Sequence, residues 1–199
     1  NSVEKLKNDF EEKLRIADIY ENLKKTANGE IVSDNSKITF ERYIMGSYFE
    51  QVLYYANLRF SKMTGGRYEI VRGESRDKRI SAGLEISVRD NFNNKERDIS
   101  SLSGGESFQA SLALALGLSD IIQQRNGGIR LDSIFIDEGF GSLDNDSLAS
   151  AIETLNDLTG NGNRLVGIIS HISELKNSIG NKIEVVGTKS GSSIKIITD

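Results

Sequence analysis

The stretch Ser133-Ile134-Phe135-Ile136-Asp137-Glu138-Gly139-Phe140-Gly141-Ser142-Leu143-Asp144 decides the fold. A short run with β-branched and aromatic members, Ser133 to Ile136, stops abruptly at two carboxylates and reads as a buried strand. In an open α/β sheet, ligands sit beyond the carboxyl ends of the strands, which here means Asp137 and Glu138. Adjacent strand residues point to opposite faces, so the two carboxylates are free to serve separate ends. One suits a hard cation such as Mg²⁺, usually held through water. The other suits a group that orients or deprotonates a nucleophilic water. The plainer reading is an acidic loop mouth, with Asp144 capping the next helix. Paired acids directly behind a buried run weigh towards function.

The sequence on both sides alternates helix and strand. Upstream, residues 106–124 carry Phe108, Leu112, Leu114, Ala115, Leu116, Leu118, Ile121 and Ile122, apolar nearly all round, which predicts a helix buried on most sides. Downstream, Leu148, Ile152, Leu155 and Leu158 mark one helix face, and Leu165-Val166-Gly167-Ile168-Ile169 reads as a second buried strand. A short helix near 172–178 follows, then a closing pair of strands, Ile183 to Gly187 and Ser193 to Ile197. Strand, helix, strand, helix, strand implies an α/β sheet with helices on its faces.

Two further candidates lie next to these elements. Ser170-His171 follows the second strand, which puts His171 on the same sheet edge as Glu138. A lone histidine at such a turn is more often structural. Ser101-Leu102-Ser103-Gly104-Gly105-Glu106 precedes the long helix. Ser103 and Glu106, three residues apart, make a capping box that by itself accounts for both. The two glycines are surplus to a cap and cost about 1 kcal/mol each against alanine. They make sense where something approaches the backbone closely, and bare N–H groups at a helix start suit a phosphate. Two superficial matches fail. Gly139-x-Gly141-x-x-Asp144 has aspartate where the dinucleotide fingerprint needs its third glycine. Gly105-Glu106-Ser107-Phe108-Gln109 has glutamine where a nucleophile elbow needs glycine.

The amino-terminal part has a different character. Val3, Leu6, Phe10, Leu14 and Ala17 keep a helical spacing up to a glycine stop at Thr26-Ala27-Asn28-Gly29. Phe40, Ile44, Tyr48, Val52, Ala56, Phe60 and Met63 repeat it up to Thr64-Gly65-Gly66. Residues 1–63 hold ten basic and ten acidic side chains, so no basic stripe exists. They read either as a helical hairpin packed on a domain or as the base of an antiparallel coiled coil. Arg67-Tyr68-Glu69-Ile70-Val71 and Gly83 to Val88 alternate as half-buried strands, with turn chemistry at residues 73–78 and 91–94.

Composition narrows the class. The 199 residues contain no proline or cysteine and one histidine, which excludes disulfide scaffolds, Cys-ligated zinc and multi-histidine metal centres. With 37% hydrophobic and 27% charged residues the chain can bury a core. It has no run of 18 apolar residues to span a membrane. A net charge of −4 gives no electrostatic reason to expect nucleic acid. Arg67, Arg72, Arg76, Lys78 and Arg79 form the one candidate basic cluster, more simply read as a solvated turn. Asn1-Ser2-Val3-Glu4-Lys5 looks like neither a signal peptide nor an initiator, so a segment of a longer protein is expected.

Taken in order, these pieces resemble the carboxyl-terminal half of an ABC-type ATPase. Ser101 to Glu106 resembles the signature loop, Ser133 to Glu138 the Walker B strand, Gly141-Ser142-Leu143-Asp144 the D-loop, and His171 the switch histidine. Transporter cassettes put proline after the Walker B glutamate, where this chain has Gly139. With Ser111-Leu112-Ala113-Leu114-Ala115-Leu116-Gly117-Leu118-Ser119-Asp120, the sequence is similar to bacterial SbcC-type ATPases of the SbcCD nuclease. Ala56 to Tyr68 is similar to the point where their coiled coil enters the head. The likeness covers about residues 40–199, and residues 1–35 fit it as coiled-coil stem.

The resemblance implies an α/β carboxyl-terminal lobe of an ABC-type P-loop ATPase head (64–199) carried on a helical coiled-coil base (1–63). It implies ATP and Mg²⁺, with Asp137 ordering the metal, Glu138 activating water and His171 holding the γ-phosphate. Ser103, Gly104, Gly105 and Glu106 would act in trans on the opposite head's nucleotide, and Asp144 would connect the two sites. Implied partners are an amino-terminal segment of the same protein carrying Walker A, a second head, an SbcD-type nuclease subunit and double-stranded DNA. No membrane partner is implied, and the implied location is the cytoplasm at the nucleoid. No Gly-x-x-x-x-Gly-Lys-[Ser/Thr] occurs, so the fragment alone is expected to be inactive. The rival readings are an ABC ATPase of another branch, a transporter cassette or other SMC-like protein, and a non-catalytic interaction module.

Overall fold

Glycines end both long helices, as the spacing predicts. In a computed structural model that describes residues 2–30, 38–73, 84–125, 131–162, 164–188 and 191–198, helix α1 spans Ser2–Ala27 and α2 spans Phe40–Met63. Gly29 follows α1 at φ +70°, and Gly65 and Gly66 follow α2 at +59° and +79°, the left-handed conformation that glycine adopts without a Cβ penalty. The α2 start is capped by Thr39, whose hydroxyl accepts the Arg42 N–H at 3.3 Å. Helix α1 buries no residue, and Val3, Leu6, Phe10 and Leu23 are all exposed. The second half of α2 behaves differently: Val52, Leu53, Ala56, Phe60 and Met63 all enter the core.

After the glycine pair the chain forms an antiparallel sheet of β1 (Tyr68–Arg72), β2 (Ile86–Asp90) and β3 (Lys95–Asp98). The second strand lies a few residues later than predicted over 83–88, and residue 83 is outside the described residues. Strand β3 was not expected, because Lys95-Glu96-Arg97-Asp98 has no apolar residue to alternate. Its strand character comes from pairing, with Asp98 opposite Ser87 and Lys95 opposite Asp90. Asn57 of α2 completes the outer edge of β1: its side chain donates to the Ile70 carbonyl at 2.7 Å and accepts the Ile70 N–H at 2.8 Å.

Helix α3 (Gly104–Arg125) crosses α2 at close range. Ala56 and Ala113 are fully buried there, and a Cβ on Gly117 would lie 2.7 Å from both the Val52 oxygen and the Ala56 nitrogen. As expected, α3 is buried on most sides, with Gln109, Ala110, Leu112, Ala113, Leu116 and Ile121 all buried. Only a narrow stripe at helical spacing, Ser111, Ala115 and Leu118, is left exposed.

Strands β4 (Ser133–Asp137) and β5 (Leu165–Ile169) pair in parallel, from Ser133 opposite Leu165 to Asp137 opposite Ile169. Helix α4 (Asn145–Gly162) makes the crossover and buries Leu148, Ala151, Leu155 and Leu158. Ile134, Ile136, Val166 and Ile168 pack against the same core. Neither strand is buried on both faces as predicted: Phe135 is 69% exposed, Leu165 64% and Ile169 56%. The pleat turns these side chains away from α4, to a face with no covering layer among the described residues. Helix α5 (Ser173–Ser178) and the hairpin of β6 (Lys182–Thr188) and β7 (Gly191–Ile197) follow. The strands therefore form three sheets among the described residues, a mixed α/β fold rather than one continuous sheet.

An ion triad ties these layers together. Asp120 near the end of α3 accepts Arg59 of α2 at 2.7 Å and Arg164, just before β5, at 2.9 Å. All three side chains are less than one-fifth exposed, so screening by water is weak.

Candidate functional site

The parallel register aligns the strand ends, and the loops leave from there. The Glu138 N–H donates to the Ile169 carbonyl at 2.9 Å, extending the β4–β5 ladder by one bond. Glu138 itself takes φ +59° and Gly139 follows at +97°. A left-handed glutamate stores about 1 kcal/mol or more of strain, and such strain clusters at functional positions. The turn carries the Glu138 carboxylate to the imidazole of His171, Oε1 to Nδ1 at 3.1 Å. Two residues 33 positions apart, chosen separately from sequence, thus touch at one strand edge. Both are open to solvent, with side chains 49% and 81% exposed.

Asp137 is exposed at the same edge. Among the described residues no cluster of three or more His, Cys, Asp or Glu side chains could cage a metal by itself. One or two carboxylates at an open edge suit Mg²⁺, which keeps several waters and is shared with phosphate oxygens.

The turn after Glu138 rests on α3. Gly139 lies against the Phe108 ring so closely that a Cβ would collide with it, and Phe108 meets Phe140 edge to face at 4.8 Å between centroids. Residues 140–142 make a 3-10 turn closed by the Ser142 hydroxyl on the Gly139 carbonyl at 3.2 Å. Asp144 then caps α4, accepting the Ser147 N–H at 2.9 Å and the Ser147 hydroxyl at 3.1 Å. The Ser147 N–H holds its carboxyl below the ordinary aspartate range, with help from the hydroxyl. The capping reading of Asp144 is thus realised in the geometry.

The capping box at the start of α3 is also complete. Glu106 Oε2 accepts the Ser103 N–H at 2.9 Å, and the Glu106 N–H donates to Ser103 Oγ at 3.3 Å. Ser103 and Gly104 remain exposed at the helix tip. Part of the reason for the two glycines lies within the chain. A Cβ on Gly105 would come 2.9 Å from the Ser142 carbonyl oxygen, so the 140–142 turn claims that close approach. Gly104 meets only the Ser142 Cβ, at 3.4 Å, an ordinary contact.

Two residues that sequence reasoning passed over hold this loop. Arg97 donates to the Tyr68 hydroxyl at 3.1 Å and to the Ser101 carbonyl at 3.2 Å, and Tyr68 and Arg97 both stabilise the Glu106 carboxylate electrostatically. The strand alternation of 67–71 marked Tyr68 as inward-facing, but nothing local marked Arg97. The candidate basic cluster is only partly visible. Arg67 pairs with Asp90 at 3.4 Å and lies 4.6 Å from the Tyr68 ring centre, and Arg72 pairs with Glu50 at 2.8 Å. Arg76, Lys78 and Arg79 lie outside the described residues.

Residues 74–157, which include the signature-like loop, the β4 carboxylates and the turn after them, match a family described as SbcC/RAD50-like, Walker B motif. The SbcC likeness extends on both sides of that segment. The chain is 49% identical over 173 residues, 86% of its length, to the SbcC subunit of the SbcCD nuclease of Vibrio cholerae. It is 55% identical over 153 residues, 77% of its length, to the SbcC subunit of Staphylococcus epidermidis. It corresponds to the carboxyl-terminal region of SbcC and spans 17% and 15% of these two relatives' own lengths. Among solved structures it resembles one described as concerning ATP-driven dimerisation and DNA-stimulated activation of SMC ATPases. The TM-score is 0.61 at 14% identity, covering 79% of this chain and 89% of that one. The chain therefore has the fold of an SMC head, consistent with the ABC-type lobe expected from the motifs. Among the described residues no helix is long and apolar enough to cross a membrane.

Proposed function

We propose that this chain is the carboxyl-terminal lobe of an ATP-binding and ATP-hydrolysing SbcC-type head. The observation that carries the reading is the Glu138–His171 contact of 3.1 Å at the ends of two paired parallel strands. Two groups that handle protons and charge meet there without any buried structural need, beside a second acid, Asp137. Glu138 orients and activates the attacking water, and its bond to Nδ1 leaves the other ring nitrogen of His171 free to face the γ-phosphate. Asp137 would hold Mg²⁺ through water, and the bound ion would supply neutralisation of phosphate charge.

Ser103 and the backbone N–H groups of Gly104 and Gly105 serve the nucleotide of the opposite head, at the exposed positive end of α3. Glu106 supports that tip from within through the capping box. Asp144 caps α4 just after the turn that packs on the start of α3, and in a head dimer it links the two sites. Walker A comes from an amino-terminal segment of the same protein, whose strands would cover the open face of β4 and β5. In the full assembly the head pairs with a second head and with an SbcD-type nuclease subunit, and hydrolysis governs access of double-stranded DNA ends to the nuclease. The setting is the cytoplasm at the nucleoid, in DNA repair and recombination.

The test is Glu138→Gln in the full-length protein. Turnover is expected to fall about a hundredfold, the usual worth of a positioned base, while ATP-driven dimers accumulate. Unchanged turnover would reassign the base. The present chain alone is expected to show no ATP hydrolysis, because it has no phosphate-cradling loop, and robust turnover by it would sink the reading.

A further inference from the structure

We infer that Tyr68 and Arg97 are positioning residues for the tip of α3, holding Ser103 and the Gly104–Gly105 amides in the orientation that trans nucleotide contact needs. The inference rests on the proposed function above and deepens it. A capping box needs a serine and a glutamate only. Here the glutamate is itself held from outside. Tyr68 is 2% exposed, in the first strand of the antiparallel sheet, and stacks on Phe60 of α2 at 6.3 Å between ring centres. Its hydroxyl lies within electrostatic reach of the Glu106 carboxylate. Arg97, in the third strand, donates through Nη2 to that hydroxyl at 3.1 Å and through Nη1 to the Ser101 carbonyl at 3.2 Å. Its guanidinium carbon lies 5.3 Å from the Tyr68 ring centre.

Arg97 donates to the Tyr68 oxygen, and the Glu106 carboxylate, stabilised by the Tyr68 hydroxyl and the Arg97 charge, accepts the Ser103 N–H. Groups in such networks polarise one another and hold one geometry. The clasp grips the loop on both sides of Ser103, at the Ser101 carbonyl and at Glu106, while Ser103 and Gly104 stay exposed. The arrangement suits a tip whose N–H groups must point outward at a fixed angle. Electrostatic assistance needs donors that are already oriented when charge develops. The electrostatics agree with the geometry. Burial alone would raise the Glu106 pKa, but the Ser103 N–H, the Tyr68 hydroxyl and the Arg97 charge outweigh it and keep the carboxylate ionised. Burial and the Glu106 carboxylate push the Tyr68 hydroxyl the other way, so it stays a donor.

The experiment uses the full-length protein with Tyr68→Phe, Arg97→Ala, Arg97→Lys and the Tyr68→Phe/Arg97→Ala pair. Tyr68→Phe keeps the buried ring and removes only the hydroxyl. It is expected to lower kcat and weaken ATP-driven dimerisation about tenfold, as for loss of one bond to a charged group. Nucleotide affinity of the monomeric head and its melting temperature stay at the parent values. Arg97→Ala does the same, the double variant is no worse than the worse single, and Arg97→Lys restores part of the loss. Amide exchange at residues 103–107, measured without nucleotide, speeds up in Tyr68→Phe and Arg97→Ala. Unchanged exchange in both variants overturns the clasp. Faster exchange with parent-level dimerisation and kcat, or a loss that follows monomer nucleotide binding or melting temperature, overturns its role at the trans site. A parent protein that neither dimerises on ATP nor hydrolyses it overturns the proposed function instead, and the exchange measurement still decides whether the clasp orders the tip.

Discussion

Glu138 sits at φ +59° with its carboxylate on His171, and the two facts pull against each other. The left-handed turn brings the carboxylate over the strand edge, and the same turn is one that a glutamate adopts at a cost. Glu138→Gly is therefore expected to raise the stability of the folded chain by about 1 kcal/mol, read by urea unfolding, while removing hydrolysis from the full-length head. A loss of stability would mean that the His171 contact outweighs the strain. Glu106 supplies a second residue-scale test, through pH. Its folded pKa lies below the unfolded value, so its contribution to stability is fully present above the unfolded glutamate range and is lost as pH falls through the folded value. Glu106→Gln should flatten that part of the acid limb in a pH series of urea midpoints, and an unaltered limb would show that the cap carries no net proton linkage. The role of Ser103 and Glu106 as a capping pair was legible from two residues three apart. The Tyr68–Arg97 clasp was not, because it joins positions that approach only after three strands have paired.

At the scale of elements, α2 and α3 are held by two unlike devices, a backbone-to-backbone crossing at Gly117 and the Arg59–Asp120–Arg164 triad near the end of α3. Gly117→Ala puts its methyl against the Val52 oxygen and Ala56 nitrogen, which no rotamer change relieves. A cost of about 1–3 kcal/mol follows, measurable by denaturant unfolding. Asp120→Ala leaves two poorly solvated guanidinium groups facing each other and should cost about 3 kcal/mol or more, exceeding the loss from either arginine variant. If Arg59→Ala proves costlier than Asp120→Ala, the triad is not the joint between these layers. Element existence was largely readable: the glycine stops of α1 and α2, the α4 face from Leu148 to Leu158, and the two parallel strands all follow from local pattern. Strand β3 was invisible because a run of four charged residues becomes a strand only through its neighbour. The burial of β4 and β5 was overestimated for the opposite reason. Phe135, Leu165 and Ile169 are chosen for an interior that α4 supplies on one face alone.

Across the whole molecule, apolar side chains remain exposed on the far face of β4 and β5 and along β6 and β7, at Ile183, Val185, Val186, Ile194 and Ile196. Exposed apolar surface on this scale suits an interaction site. The isolated chain is expected to bind a hydrophobic dye and to self-associate, and a separately expressed amino-terminal segment carrying Walker A should suppress both. Dye fluorescence that is indifferent to that segment would argue that it docks elsewhere. Glu138 and His171 owe their meeting to a ladder rather than to the 33 positions between them, and the whole chain inherits a rule from this. Deleting one residue inside β5 would slide the strand by about 3.3 Å and turn His171 to the opposite face. Lengthening the connection between α4 and β5 would leave both residues where they are. The Glu138–His171 pair is thus indifferent to the length of what joins it and intolerant of any change in what aligns it.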